Sequence, residues 1–280
     1  MNTLDNERRA RVITCLVEGN SIRATVGITG VAKNTVVKLL AEVGQACAEY
    51  QNKVLRNLSC KRIQCDEIWS FCYVKEKNLP EKPRGEFGYG DVWTWTALCA
   101  ETKLVPCWLI GGRSARYANH FISDLASRLA NRVQLTTDGH RVYLDAVERA
   151  FGSSVDYAML VKLYGNDSEK EVRYDPADCI GAIETSIIGT PDRRRISTSF
   201  VERRNLTMRM QMRRLTRLTN GFSKKVENHC HAVALYFMYY NFCRIHQTLR
   251  VTPAMEAGVS DHVWDMIEVV DLLGRAQKAA

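Results

Sequence analysis

Apolar residues recur at helical spacing at both ends of the chain and at strand spacing through its middle. Residues 6–18 put Val12, Ile13, Leu16 and Val17 on one stripe that stops at Gly19-Asn20, which predicts a first helix. Ser21 caps a short second helix with Ile22 and Val26 one turn apart, and Gly27-Ile28-Thr29-Gly30 supplies the residues of a tight connector. A third helix follows. Its Val36, Leu39, Leu40 and Val43 obey the i, i+3, i+4, i+7 rule, while Lys33, Asn34, Thr35 and Lys38 stay polar at its start. After a charged helical tail to about residue 56 the period shortens. Segments 62–74, 91–101 and 103–110 are rich in β-branched and aromatic residues and predict three strands, antiparallel neighbours of one another. A helix at 117–130, a strand at 132–137, a helix at 140–150 and a strand at 155–163 come next. Residues 165–200 hold glycines, prolines and charges without a sustained period and read as a loop-rich insertion. Helical spacing returns at about 200–218 and 223–242.

Three strands, then helix, strand, helix, strand is an α/β order. The chain divides into a three-helix unit at 1–50, a linker at 51–60, an α/β domain at 61–250 carrying the 165–200 insertion, and a tail at 251–280. With 280 residues, 46% of them hydrophobic, there is material for one large core and a small satellite. No apolar run is long enough to cross a bilayer and the start MNTLDNERRARV carries no apolar segment, so a cytoplasmic protein without a membrane partner is expected. The ten cysteines form no C-x-x-C pair and read mostly as buried thiols of a reducing compartment. His229-Cys230-His231 with Cys243 and His246 invites a metal reading, but these ligands point to different sides of a helix, which favours burial. No glycine-rich phosphate loop is present.

A net charge of +8 favours a polyanionic partner, and the distribution sharpens the point. Nine arginines and a single acid, Glu202, lie between Arg193 and Arg217. At the other end, SIRATVGITGVAKNTVVKLL resembles a helix-turn-helix throughout. In that motif the start of the last helix enters the major groove, where Lys33, Asn34, Thr35 and Lys38 would meet phosphates and base edges. A plain three-helix packing unit is the competing reading.

The remaining chemistry is carboxylate chemistry. Asp66 falls inside the first strand, Asp138 directly follows the fourth, and Glu202 opens the long basic helix. Three acids at one point repel each other, and two Mg²⁺ ions, for which Mn²⁺ can substitute, turn that cost into a site for in-line phosphoryl displacement. Taken singly, Asp138-Gly139 is an ordinary turn pair and Asp66-Glu67 an ordinary strand edge. Alternation along a strand should bring only one of Asp66 and Glu67 to shared ions. Trp69, Trp93 and Trp95 read as sheet-face residues rather than base-stacking platforms, and His140 as either a phosphate contact or a helix-start residue.

In this order, CDEIWSF, TTDGHRVY and VERRNLTMRMQMRRLTRLTNGFSKKVENH resemble the corresponding segments of DDE transposases of the insertion sequence one family, over most of residues 60–245. The resemblance implies an RNase H-like mixed sheet flanked by helices, shared with retroviral integrases and here preceded by the small all-α helix-turn-helix unit. It selects Asp66 over Glu67 and implies Asp66, Asp138 and Glu202 as catalytic metal ligands, with Asn205 behind them. It implies Arg209, along with Arg203 and Arg213 of the basic helix, as contacts to DNA. The implied activity is strand cleavage at the terminal inverted repeats of an element and joining to target DNA. The implied setting is a nucleoid-associated dimer or larger assembly on double-stranded DNA. Two departures stand out: no cysteine-rich zinc motif precedes the helix-turn-helix, and the 165–200 segment is long for the family. A regulator that only binds DNA and a nuclease that cuts without joining are the alternatives.

Overall fold

The computed structural model describes residues 4–165, 179–216 and 219–279. It is a mixed α/β structure around a six-stranded sheet. The elements are helices α1 (Asn6–Val17), α2 (Ile22–Thr29) and α3 (Lys33–Val54), strands β1 (Arg62–Cys72), β2 (Gly90–Cys99) and β3 (Trp108–Gly111), α4 (Ala115–Arg128), β4 (Val133–Thr137), α5 (Val142–Phe151), β5 (Val155–Tyr164), β6 (Cys179–Ile188), α6 (Ser199–Gln211), α7 (Val226–Met238), α8 (Pro253–Glu256) and α9 (Met266–Ala279).

The sheet order is β3-β2-β1-β4-β5-β6. β1 pairs antiparallel with β2 and β2 with β3, β1 and β4 are parallel, as are β4 and β5, and β6 returns antiparallel along β5. Alternation then sorts side chains between two layers. One face of β1 and β2 carries Cys65, Trp95 and Ala97 into an apolar core with Phe121 and Leu125 of α4 and Tyr143 and Val147 of α5. The other carries Ile68 and Leu98 into a second core with Val201 and Met208 of α6 and Phe237 of α7.

The three N-terminal helices do not stand apart. Asp5 caps α1 by accepting from the Arg8 N–H, and Ser21 caps α2 by accepting from the Ala24 N–H. Both satisfy donors a helix start leaves open. Val12, Ile13, Val36, Leu39, Leu40 and Val43 are buried as the periodicity predicts, and they share a core with Val269 and Leu272 of α9. α3 also crosses α7 closely: a Cβ on Gly44 would lie 2.5 Å from the His231 carbonyl oxygen, so a side chain there would push the helices apart. In the 51–60 stretch, a linker by sequence, α3 runs on to Val54, and Gln51, Leu55, Leu58 and Cys60 are buried.

Three further differences have physical causes. β3 starts at Trp108 rather than 103, because Lys103 takes a left-handed turn and Pro106 has no N–H to give a ladder. The 165–200 segment contains β6, whose residues are nearly all exposed and so lack the buried alternation that announces a strand; residues 166–178 lie outside the described residues. The 251–280 tail contains α9, packed on α1 and α3. Among the described residues no helix is long and apolar enough to cross a membrane.

Candidate functional site

The parallel pairing of β1 with β4 runs from Arg62 opposite Gln134 to Cys65 opposite Thr137 and then stops. Asp66 and Asp138 are the next residues on the two strands. They sit where the two strands part, Asp66 midway along β1 and Asp138 just past the carboxyl end of β4, and such a parting in an open α/β sheet is a usual place for a ligand crevice. Asp138 accepts the His140 N–H through Oδ1 at 3.0 Å, so the Asp-Gly-His turn holds its carboxylate in place. Asp66 accepts the Glu67 N–H at 2.8 Å through Oδ1 and the Asn205 side-chain amide at 2.7 Å through Oδ2.

Glu67 joins this pair. One carboxylate oxygen from each of Asp66, Glu67 and Asp138 lies within 4.8 Å of the others. This corrects the expectation that alternation admits only one of the adjacent acids. Glu67 does point to the α4/α5 face, where Arg113 Nε donates to it at 3.2 Å. Asp138, however, lies beyond the end of β4, within reach of both faces, and Arg113 is also 3.8 Å from its Oδ2. The guanidinium is itself seated over the Trp93 ring at 4.6 Å.

The electrostatics of the group are unfavourable as it stands. Burial, then the charges of Asp138 and Glu202, push the Asp66 carboxyl up to about 6 against the pull of its hydrogen bonds. Burial, then the charges of Asp138 and Asp66, push Glu67 up to about 7, with a hydrogen bond from the Tyr143 hydroxyl and then Arg113 opposing. Three hard oxygen donors whose charges repel one another fit a divalent cation of the Mg²⁺ or Mn²⁺ type, which would cancel that repulsion.

Glu202 lies outside that group of three. Its Oε1 accepts from Thr198 Oγ1 at 2.7 Å, and its Oε2 pairs with Lys162 of β5. It is close enough to raise Asp66, and Asn205, one turn on along α6, provides the direct link to that residue. Gln64 fixes the helix from the other side: two residues before Asp66 on the same face of β1, its Oε1 accepts the Phe200 and Val201 N–H groups at 2.9 and 3.0 Å. The open start of α6 is thereby tied to the strand that carries Asp66. Gln64, Arg113 and Lys162 carry no local sequence signal beyond a polar residue in a strand or loop.

The arginines of α6 separate by face. Arg203 is exposed, and so is Arg213, which lies past the end of α6 in a short turn because the helix expected to about residue 218 stops at Gln211. Arg204 is buried with Val201, Asn205 and Met208; its Nη1 donates to the Tyr236 hydroxyl at 2.6 Å and its guanidinium lies 3.8 Å from the Tyr240 ring centre. Arg209 is half-buried and donates to the Trp69 carbonyl at 3.4 Å. Lys33, Asn34, Thr35 and Lys38 are exposed at the start of α3, with Lys38 3.7 Å from Glu42. His140 places its ring against Trp95, with centroids 6.2 Å apart. His229 is buried between two serines rather than bound into a metal cluster, and the acidic trio is the one such cluster found among the described residues. No protein-family model matches the chain, and no curated protein matches it either.

Proposed function

We propose that the chain is a DNA transposase with an RNase H-like core that cuts and joins DNA strands by divalent-metal-dependent phosphoryl transfer. The observation that carries the reading is the meeting of Asp66 and Asp138 at the parting of β1 and β4, with α6 and its Glu202 tied to the same strand through Gln64 and Asn205. The strand order β3-β2-β1-β4-β5, with β2 antiparallel to both neighbours, supports an RNase H-like core. The contexts of the three acids, shared in order with insertion sequence one transposases, support the DNA chemistry.

Asp66, Asp138 and Glu202, with Glu67 beside them, would hold two Mg²⁺ ions. When bound, such ions activate the attacking oxygen and stabilise the leaving oxygen of an in-line displacement. The chain's own groups then have separable tasks. Asn205 and the Glu67 N–H orient the Asp66 carboxylate. Arg113 steadies Glu67 and Asp138, and Lys162 steadies Glu202. Arg203 and Arg213 provide exposed cations for the phosphate backbone, and Lys33, Asn34 and Thr35 face outward for duplex recognition at the element ends. Water would open a phosphodiester to free a 3′ hydroxyl, and that hydroxyl would displace a target phosphodiester, releasing the target's own 3′ hydroxyl. Joining two ends requires at least a dimer on DNA.

The test is a strand-transfer assay with Mg²⁺ or Mn²⁺ on DNA carrying the repeats that flank the coding region. Asp66→Asn and Asp138→Asn should each lower cleavage and joining by roughly 10³-fold or more, the scale of losing one electrostatic stabiliser of the transition state, with Glu202→Gln similarly affected. Activity surviving in a variant rejects that residue as a ligand. Cleavage without joined product turns the reading to a nuclease.

A further inference from the structure

Beyond Cys65 the β4-side edge of β1 has no partner strand until Cys72 meets Ser223, and a cavity of about 340 Å³ opens along it. That volume falls within the roughly 300–1,000 Å³ of small-molecule pockets. Its floor is aromatic: the Trp69 and Phe71 rings are 5.9 Å apart, and the Phe71 and Phe222 rings 5.0 Å. Its polar side is cationic. Lys75 Nζ lies 5.8 Å over the Phe71 ring, and Arg214 lines the cavity, its Nη1 donating to Ser223 Oγ at 3.0 Å and no carboxylate pairing with it among the described residues. Asn220 offers an amide, and among the described residues no acid contributes to the wall.

Flat rings together with uncompensated cations and an amide make a site for a flat, polar ring attached to an anion. The place along the strand narrows the choice. Trp69 follows Asp66 by three residues, about 10 Å of extended chain, or about three stacked nucleotides of a DNA strand. We infer that this cavity takes an unpaired nucleotide of the DNA strand bound at the acidic centre, its base stacked on Phe222 and Trp69 and its phosphate facing Arg214 and Lys75. The inference rests on the proposed DNA chemistry for its ligand and adds a second recognition element, one that reads unpaired rather than paired DNA. Trp69 thereby changes from a sheet-face residue into part of a stacking floor.

The experiment uses the full chain in EDTA and a duplex with a single-stranded extension carrying 2-aminopurine, whose fluorescence falls when it stacks on an aromatic ring. Quenching on binding is expected. Phe222→Leu and Trp69→Ala should weaken binding of the extended DNA by at least about fivefold, the low end of the effect of deleting one stacking ring, while blunt duplex binds as before. Phe222→Leu keeps apolar volume, and its melting temperature is checked against that of the unaltered chain. Absent quenching, unchanged quenching in both variants, or an equal loss on blunt duplex overturns the inference. A chain that cleaves DNA without quenching rejects the cavity site alone. One that quenches but never cleaves rejects the phosphoryl-transfer reading alone, and failure to bind either DNA rejects both.

Discussion

Two polar groups lie on the same face of β1, four residues apart, Ser70 buried and Asp66 partly so, and their surroundings differ in kind. Ser70 donates to the Val92 carbonyl at 2.9 Å and meets His229 Nε2 at 3.4 Å, and His229 Nδ1 meets Ser223 Oγ at 3.1 Å. Each ring nitrogen of His229 has a neutral partner, so the cluster is closed and needs nothing from outside. Asp66 belongs to a group of three carboxylates whose charges raise one another and against which Arg113 is the one cation paired among the described residues. Burial alone therefore does not separate structural from functional polar groups. What separates them is whether the protein supplies the last partner itself.

The closed type can be broken hardest at Asn241. Buried in the π-helical turn that follows α7, it accepts the Val105 N–H and donates to the Val105 carbonyl, both at 3.0 Å, and reaches Gln51 at 3.3 Å. Asn241→Leu strands a buried N–H and a buried carbonyl and should cost about 2–5 kcal/mol, measured by urea unfolding. A cost below about 1 kcal/mol, the range of ordinary surface substitutions, would show that the network contributes little.

A subtler break uses pH. Burial, then the neighbouring Arg214 cation, depresses His229 from its ordinary 6.5 to about 3. Its depressed folded-state value means that the unfolded chain binds the proton more readily. Its contribution is therefore complete above about pH 6.5 and declines as pH falls towards 3, by about 1.4 kcal/mol per pH unit. The stability gap between the unaltered chain and His229→Asn should narrow at that rate between pH 6 and 4. A gap independent of pH would mean that the imidazole is not held neutral.

The same contrast explains what the sequence reveals. The helices α1 to α3 were legible because each buries one periodic face, and the strands β1, β2, β4 and β5 because their β-branched and aromatic runs are bounded by turn residues. β6 was not, since Ile180 and Ile183 are exposed and no face of the strand is covered. α9 carries Val269, Val270 and Leu272 in a readable stripe within the segment that reads by sequence as a tail. At the site, Asp66 and Asp138 were legible from their contexts. Glu67 was not, because its approach depends on where β4 ends, a property of pairing rather than of β1. Gln64, Arg113 and Lys162 act across long sequence separations and leave no local trace. Arg204 hides among the other arginines, although Val201, Arg204, Asn205 and Met208 follow the i, i+3, i+4, i+7 rule that marks an inward face.

Thermal melting of the unaltered chain and of Asp66→Asn, each in EDTA and with Mn²⁺, tests the central claim most directly. Removing one buried charge should make Asp66→Asn more stable than the unaltered chain in EDTA, by about 1–3 kcal/mol at pH 8. Mn²⁺ should then raise the melting temperature of the unaltered chain and leave that of the variant where it was. An equal rise in both proteins, or none in either, would contradict a cation site built on these acids.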